Sequence, residues 1–315
     1  MNQIKTFDNF VASVKDALAK EFPGCQVGII TVTKNNGVRL QGISVRPKGT
    51  SIAPNIYMEN YFSDFQDGRP FTDIIKELKS VYRQGMDNAA MGINADAIQD
   101  FSSVKDRICY KLINRELNEE FLFTAPHRDF HGLAVIYYID LSHAGGEMAS
   151  VTVTGSLADT WGIDEGRLFG LASINTPKLN RGQIIPLSDE LDILVGIHSP
   201  HNTGCGCCQY DRFDFTSVGE GILPLYIATN ARKVYGSAVI LYKGLLEAVA
   251  KITGSFFVLP SSVHECIFAP GEPEDAERMA EMVRSINATQ VAAEEVLYDG
   301  CFYYNAESHE LHRAA

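Results

Sequence analysis

The sequence has no long apolar run. Leu133 to Leu141 is among its longest and already contains Asp140, far short of the roughly 20 residues a membrane-spanning helix needs. The opening residues, Met1-Asn-Gln-Ile-Lys-Thr-Phe-Asp8, lack the apolar segment of a secretory signal, which sets the expectation of a cytoplasmic protein. There is no internal repeat and no low-complexity tract, which excludes solenoids and disordered arrays. There is no Gly-rich phosphate loop and no sustained βαβ alternation, which argues against a doubly wound nucleotide-binding sheet. The Gly-x-Ser-x-Gly elbow of the α/β-hydrolases is also missing. Positive charge is scarce: 27 Lys and Arg stand against 39 Asp and Glu, a net charge of −12. Such a surface repels nucleic-acid phosphates and anionic membranes, so neither is expected as a direct partner. An acidic mimic of DNA is a further alternative, but the basic residues are interspersed among the acidic ones, as solubility alone would require.

What is present is the material of a globular protein. Hydrophobic residues make up 45% of the chain, and 17 Phe and 13 Tyr supply bulk for a substantial core. The seven cysteines are an odd number in a chain without a secretion signal, so they are expected as thiols or metal ligands rather than disulfides.

Periodicity assigns the elements. Phe10, Val14, Ala17, Leu18 and Phe22 form one stripe of a helix over 7–22, stopped by Pro23-Gly24. Val27 to Thr33 and Val38 to Val45 form a hairpin around Asn35-Asn36-Gly37. A helix is predicted over 72–83, and strands at Ile108 to Ile113 and Leu133 to Leu141, the latter too apolar for an edge. Met148 to Thr154 reads as a strand, and Ser156 to Ala172 as a helix interrupted at Trp161-Gly162. After an irregular stretch come a strand at Leu225 to Ala228, a helix at Ser237 to Ile252, and strands at Phe256 to Leu259 and Glu265 to Phe268. Pro273, Glu274 and Asp275 open a helix to Ile286, and Cys301 to Tyr304 closes the chain as an edge or hairpin strand. The expected class is α+β, with mixed or antiparallel sheets and packed helices. The expected organisation is an N-terminal α+β region over 1–175, an irregular Cys/His-containing segment over 176–222 and a C-terminal α+β region over 223–315, all of which can form one continuous domain.

Three constellations can carry chemistry. His198-Ser-Pro-His201-Asn-Thr-Gly-Cys205-Gly-Cys207-Cys208 places two imidazoles and three thiols in one short segment. Zinc takes tetrahedral thiolate and imidazole ligands, so any four of His198, His201, Cys205, Cys207 and Cys208 form a candidate site. Cys205 and Cys208 formally have Cys-x2-Cys spacing, but no second, distant pair accompanies them, and the bland alternative is a loop with incidental thiols. Four protein ligands would leave no open position, which favours a structural ion over a catalytic one. Thiol–disulfide exchange at Cys205, Cys207 and Cys208 is a second possibility, without the thioredoxin βαβ context. Pro126-His127-Arg128-Asp129-Phe130-His131 looks like a kinase catalytic loop only superficially, since no Asp-Phe-Gly follows; a structural turn is expected. Pro260-Ser261-Ser262-Val263-His264-Glu265 brings hydroxyls, an imidazole and a carboxylate between two strands, and reads first as a polar turn. Asn230, Ser262, His264 and Asn287 all fall at element ends, where they can line one ligand-binding surface.

Several strings carry a resemblance: Leu225-Tyr-Ile-Ala-Thr-Asn230, Gly236-Ser-Ala-Val-Ile-Leu-Tyr242, Leu259-Pro-Ser-Ser-Val-His-Glu265 and Asn287-Ala-Thr-Gln-Val291. Upstream stand Tyr57-Met-Glu-Asn-Tyr61, Pro126-His-Arg-Asp-Phe130 and Asn175-Thr-Pro177. Together these resemble a family of uncharacterised bacterial proteins, a domain of unknown function found in anaerobic Gram-positive bacteria, often near mobile genetic elements. The resemblance spans most of the chain. It implies an intracellular bacterial protein and brings no activity, cofactor or catalytic residue. The Cys/His-rich stretch ahead of Leu225 is not part of it, so a metal site there would belong to this member or a subgroup. The resulting expectation is a protein- or ligand-binding accessory module of a mobile element. The alternative is a metal-dependent or thiol-based enzyme centred on 198–208.

Overall fold

The computed structural model describes residues 5–48, 55–90, 95–142, 149–188, 213–215 and 225–315. The chain divides into two units, Met1–Asp100 and Phe101–Ala315. Both combine helices with antiparallel sheets, and the protein is of the α+β class, as the mixed pattern of strands and helices implies. No helix among the described residues is long and apolar enough to cross a membrane.

In the first unit, helix α1 (Phe7–Glu21) starts where the Thr6 hydroxyl accepts a hydrogen bond from Asn9 N at 3.3 Å. Its buried stripe of Phe10, Val11, Val14 and Leu18 is spaced as a helix facing a core requires. Strands β1 (Cys25–Thr33) and β2 (Arg39–Pro47) follow, joined through Asn36 and Gly37 at φ 60° and 69°. That left-handed geometry is the reason for Asn-Gly in the turn. β3 (Asn55–Tyr57) completes the order β1-β2-β3. Helices α2 (Glu59–Gln66) and α3 (Phe71–Ala90) follow, then the short α4 (Ala95–Gln99). Ile74, Leu78 and Tyr82 of α3 join Ile43, Val45 and the α1 stripe in one core. Phe10 lies within 5.4 Å of both Phe62 and Phe65, ring centre to ring centre.

The second unit opens with α5 (Phe101–Val104), β4 (Ile108–Asn114), α6 (Glu119–Leu122), β5 (His127–Phe130), β6 (Leu133–Asp140) and β7 (Ser150–Thr152). β6 is buried along its whole length and sits between β4 on one edge and β5 and β7 on the other. A strand covered on both faces has no use for polar alternation, which explains its apolar run. Helices α7 (Gly155–Trp161) and α8 (Glu165–Leu179) are separated by Gly162 at φ 66°, the interruption expected at Trp161-Gly162. α8 covers the free edge of β4. Thr176 Oγ1 accepts from Tyr110 N at 3.0 Å, and Asn175 Nδ2 donates to Ile108 O at 3.0 Å and Lys105 O at 2.8 Å. Side chains thereby satisfy main-chain groups that an edge strand would otherwise leave open.

The largest sheet contains β8 (Gly182–Pro186), β9 (Phe213–Phe215), β10 (Tyr226–Asn230), β11 (Phe256–Leu259), β12 (Cys266–Pro270), β13 (Phe302–Asn305) and β14 (Glu310–Arg313). Its order is β14-β13-β11-β12-β10-β8-β9, antiparallel except for the β8/β9 pair. Helices α9 (Leu245–Thr253) and α10 (Ala276–Thr289) complete the unit. Two details differ from the sequence expectation. Residues 237–252 are not one helix: a 3-10 segment, Gly236–Leu241, precedes α9, and Gly244 at φ 83° turns the chain between them. β13 is a hairpin strand, one of the two forms expected, but it does not close the chain: the polar strand β14, unmarked in the sequence, pairs along its outer side.

Candidate functional site

One end of β6 meets the α8–β8 turn and the loop that leaves β10, and polar side chains gather there. Asp140 is the last residue of β6, with a side chain only 3% exposed. A buried carboxylate must be paired. Asp140 Oδ2 accepts from Arg232 Nη1 at 2.7 Å, and Oδ1 accepts from Ser142 N at 2.9 Å. Arg107 Nη1 donates to the Asp140 and Ser142 carbonyl oxygens at 3.3 and 3.4 Å.

Asn230 shapes the loop that carries Arg232. Its Oδ1 accepts from Arg232 N at 3.0 Å and its Nδ2 donates to Val234 O at 2.8 Å, so a buried amide folds the chain back on itself. Lys233 and Tyr235 are both left-handed, at φ 53° and 55°. Gly236 follows because nothing larger fits. An added Cβ would overlap Thr229 Oγ1 and His264 O and press on Asn230 N at 2.8 Å.

Tyr235 is the centre of the group. Its ring lies parallel to His264, 6.1 Å away and 9° from coplanar, and meets Tyr138 edge-on at 5.5 Å. Lys111 Nζ sits 4.0 Å from the Tyr235 ring centre, in cation–π geometry. Lys111 arrives from β4. Cys109 pairs with Tyr138 and Lys111 with Ile136 across the ladder, so Cys109, Lys111, Ile136, Tyr138 and Asp140 share one face of the sheet.

His264 is fixed on both nitrogens. Tyr235 N donates to Nδ1 at 3.3 Å, which leaves the neutral ring's proton on Nε2, 3.3 Å from Glu295 Oε1. Ser262 Oγ accepts from His264 N at 3.0 Å, and Thr229 Oγ1 donates to His264 O at 2.8 Å. The Ser262 hydroxyl is therefore bonded to the backbone, while the imidazole is bonded to Tyr235 and Glu295. Asn180, 1% exposed at the end of α8, donates from Nδ2 to the Tyr138 hydroxyl at 3.1 Å, and its main-chain oxygen accepts from the Tyr242 hydroxyl at 2.6 Å. Asn180 Oδ1 has no hydrogen-bond partner among the described residues.

Burial sets the titration of the neighbouring groups. It pushes the Cys109 thiol up to about 12, against hydrogen bonds from Thr176 and Tyr138 that act the other way. The Cys266 thiol and the Tyr138 phenol are raised for the same reason. A protonated, buried thiol is neither a nucleophile nor a ready metal ligand.

Of the residues singled out in the sequence, Asn230, Ser262 and His264 come together here. Asn287 is engaged differently: from α10 its Nδ2 donates to Tyr298 O at 2.9 Å and Asp299 Oδ1 at 2.8 Å, holding that turn to the helix. His198, His201, Cys205, Cys207 and Cys208 lie outside the described residues. Among the described residues, no group of three or more His, Cys, Asp and Glu side chains is placed to hold a metal ion. Sequence reasoning did not select Arg107, Lys111, Asp140, Arg232 or Tyr235. The one available signal was Asp140, a carboxylate closing an otherwise apolar strand.

Fold and site together define an α+β protein in which Arg107 and Arg232 gather at Asp140 and Lys111 lies over Tyr235. The chain belongs to a family of unknown function, DUF5688, whose model matches residues 7–306. No curated protein and no solved structure matches it.

Proposed function

We propose that this chain works by non-covalent binding of a small polar ligand at the Tyr235 corner of its second unit. The observation that carries the proposal is the loop from Asn230 to Gly236. Two residues other than glycine, Lys233 and Tyr235, are held there in the left-handed region, each at a cost of about 1–3 kcal/mol. Such strain persists only where the surroundings enforce it, and it concentrates at ligand clamps. Here Asn230 and the closely packed Gly236 enforce it, and the result sets Arg232 on Asp140 and Tyr235 between Lys111 and His264. A cytoplasmic location and a place in a bacterial mobile element belong to the same proposal and rest on the sequence alone.

The test is ligand retention. Purified protein is incubated with a cell metabolite extract, desalted and denatured, and the released compounds are identified by mass spectrometry. The wild-type chain should retain a compound near one equivalent, and Tyr235→Ala should lose it. No retained compound, or equal retention by Tyr235→Ala, would reject the reading.

A further inference from the structure

The first unit leaves one long strand edge open. β1 ends the order β1-β2-β3, so among the described residues no strand pairs along its outer side. Every second residue of an edge strand turns its N–H and C=O away from its one neighbour, and such groups template a further strand. Proteins ordinarily blunt an edge by brevity, charge, proline, a bulge or a cover. This chain does so elsewhere. β3 has three residues, β14 is Glu310-Leu-His-Arg313, and Asn175 and Thr176 close the edge of β4.

β1 has none of these devices. Its nine residues, Cys25–Thr33, include no charged residue and no proline. They pair with β2 in unbroken register from Cys25↔Pro47 to Thr33↔Arg39, so no bulge turns the edge aside. Residues 1–100 hold equal numbers of acidic and basic side chains, and the net charge of −12 lies wholly in residues 101–315. The first units of two copies therefore carry no net charge to hold them apart.

Two positions indicate what the edge receives. Ile29, the middle residue of β1, is 45% exposed, an apolar side chain left in water at the centre of the strand. Gly28 beside it weakens a strand interior, and its own chain does not require it: a Cβ there would meet nothing within 4 Å. A glycine so placed marks the close approach of another backbone. Antiparallel pairing of β1 with β1 of a second copy, about a twofold axis at Ile29, accounts for both. Ile29 then faces Ile29 of the second copy, Gly28 faces Ile30, Val27 faces Thr31, and Cys25 faces Thr33. All nine residues are paired, and no two charges are brought together. We infer that this chain forms a symmetric dimer in which two β1 strands join two three-stranded sheets into one of six strands. The contact is isologous and closes on itself, and the edges that remain are the short β3 strands. The inference stands apart from the Tyr235 corner, which belongs to the second unit.

Sedimentation equilibrium of the full chain tests it. A single strand pair is a small, weak interface, so over about 1–200 µM the average mass should rise from that of one chain to that of two and stop there. Ile29→Lys sets two like charges directly opposite each other across the axis and should weaken association about tenfold or more, as should Ile29→Glu. An equimolar mixture of the two variants should associate again, because the twofold register places residue 29 against itself. Both substitutions replace a side chain that already reaches water, and restored association shows that both variants fold. Hydrogen exchange of the β1 amides should slow as wild-type concentration rises. A wild-type chain that stays single at the highest concentration would overturn the inference, as would growth past two copies. So would undiminished association of Ile29→Lys, a mixture that fails to associate, or β1 exchange indifferent to concentration.

Discussion

Gly236→Ala is the sharpest test of how the corner is built. The added methyl would overlap the Thr229 hydroxyl and the His264 carbonyl oxygen and press on Asn230 N at 2.8 Å. Ordinary carbon contacts are near 3.5 Å, so backbone at the start of β12 and the end of β10 would have to retreat by on the order of 1 Å. Overpacking of this kind costs about 1–3 kcal/mol. The retreat also stretches the Thr229 Oγ1–His264 O bond of 2.8 Å and the Ser237 N–Val263 O bond of 3.4 Å. Each such bond contributes about 1 kcal/mol. The expected loss is about 3–4 kcal/mol. The assay is urea unfolding followed by tryptophan fluorescence. Trp161 is the only tryptophan and belongs to the second unit, so the signal reports the unit that holds Gly236. With a slope of about 3 kcal/mol per molar urea, the midpoint should fall by roughly 1 M. Gly170→Ala is the companion. It lies within α8 with nothing within 4 Å of its would-be Cβ. Alanine there should raise stability by about 0.5–1 kcal/mol through helix propensity. If Gly236→Ala stays within about 0.5 kcal/mol of wild type, the close packing that fixes the loop is wrong.

The Asp140–Arg232 pair should respond asymmetrically. Arg232→Ala leaves a buried carboxylate unpaired and should cost about 3 kcal/mol, whereas Asp140→Ala leaves an arginine that can reach water and should cost about half that. Equal losses in the same unfolding assay would contradict the burial of Asp140. Of the described cysteines, the half-buried Cys25 should alkylate first at pH 8, because burial keeps the Cys109, Cys266 and Cys301 thiols protonated. Peptide mapping after timed iodoacetamide treatment checks this, and rapid labelling of Cys109 would refute it. Glu165 titrates low. Burial acts to raise its pKa, but hydrogen bonds from Arg128 at 2.9 and 3.0 Å and from the Tyr137 hydroxyl outweigh that. A carboxylate depressed on folding stabilises the fold above its unfolded value near 4.5, and the contribution is lost as pH falls through the lower folded value. Glu165→Gln should therefore flatten the fall in stability below about pH 4.5, and an unchanged acid limb would show that the three-residue group contributes nothing.

Sequence patterns reveal those parts of this fold that local physics dictates. α1 is legible because its buried residues keep a helical stripe, and the first hairpin because Asn36-Gly37 meets a left-handed turn. β6 reads as interior because nothing along it needs water until Asp140. The misreadings have equally local causes. Residues 237–252 have helical composition throughout, yet Gly244 breaks the run and Gly236 is held by packing. β14, Glu310-Leu-His-Arg313, is too polar to announce itself and becomes a strand by pairing with β13.

The corner was half legible for the same reason. Asn230, Ser262 and His264 can be picked out because turn-forming residues at element ends have few other uses. Arg232 and Lys111 cannot, because a lone cation in a sequence looks like any solvated side chain. What changes their meaning is a partner far along the chain: Asp140 is 92 residues from Arg232, and Lys111 meets Tyr235 only once β4 and the β10 loop share a corner. The resemblance strings follow the same geometry. Leu225–Asn230 is β10 with its turn-forming amide, Gly236–Tyr242 starts at the glycine packed against it, and Leu259–Glu265 brings the imidazole. Asn175-Thr-Pro177 closes the edge of the strand that supplies Lys111. Four strings distant in sequence thus build or buttress one place, and the cations that give that place its charge lie between or beside them. A binding role accounts for both facts, since it requires a rigid loop and groups held ready on it, without requiring a nucleophile.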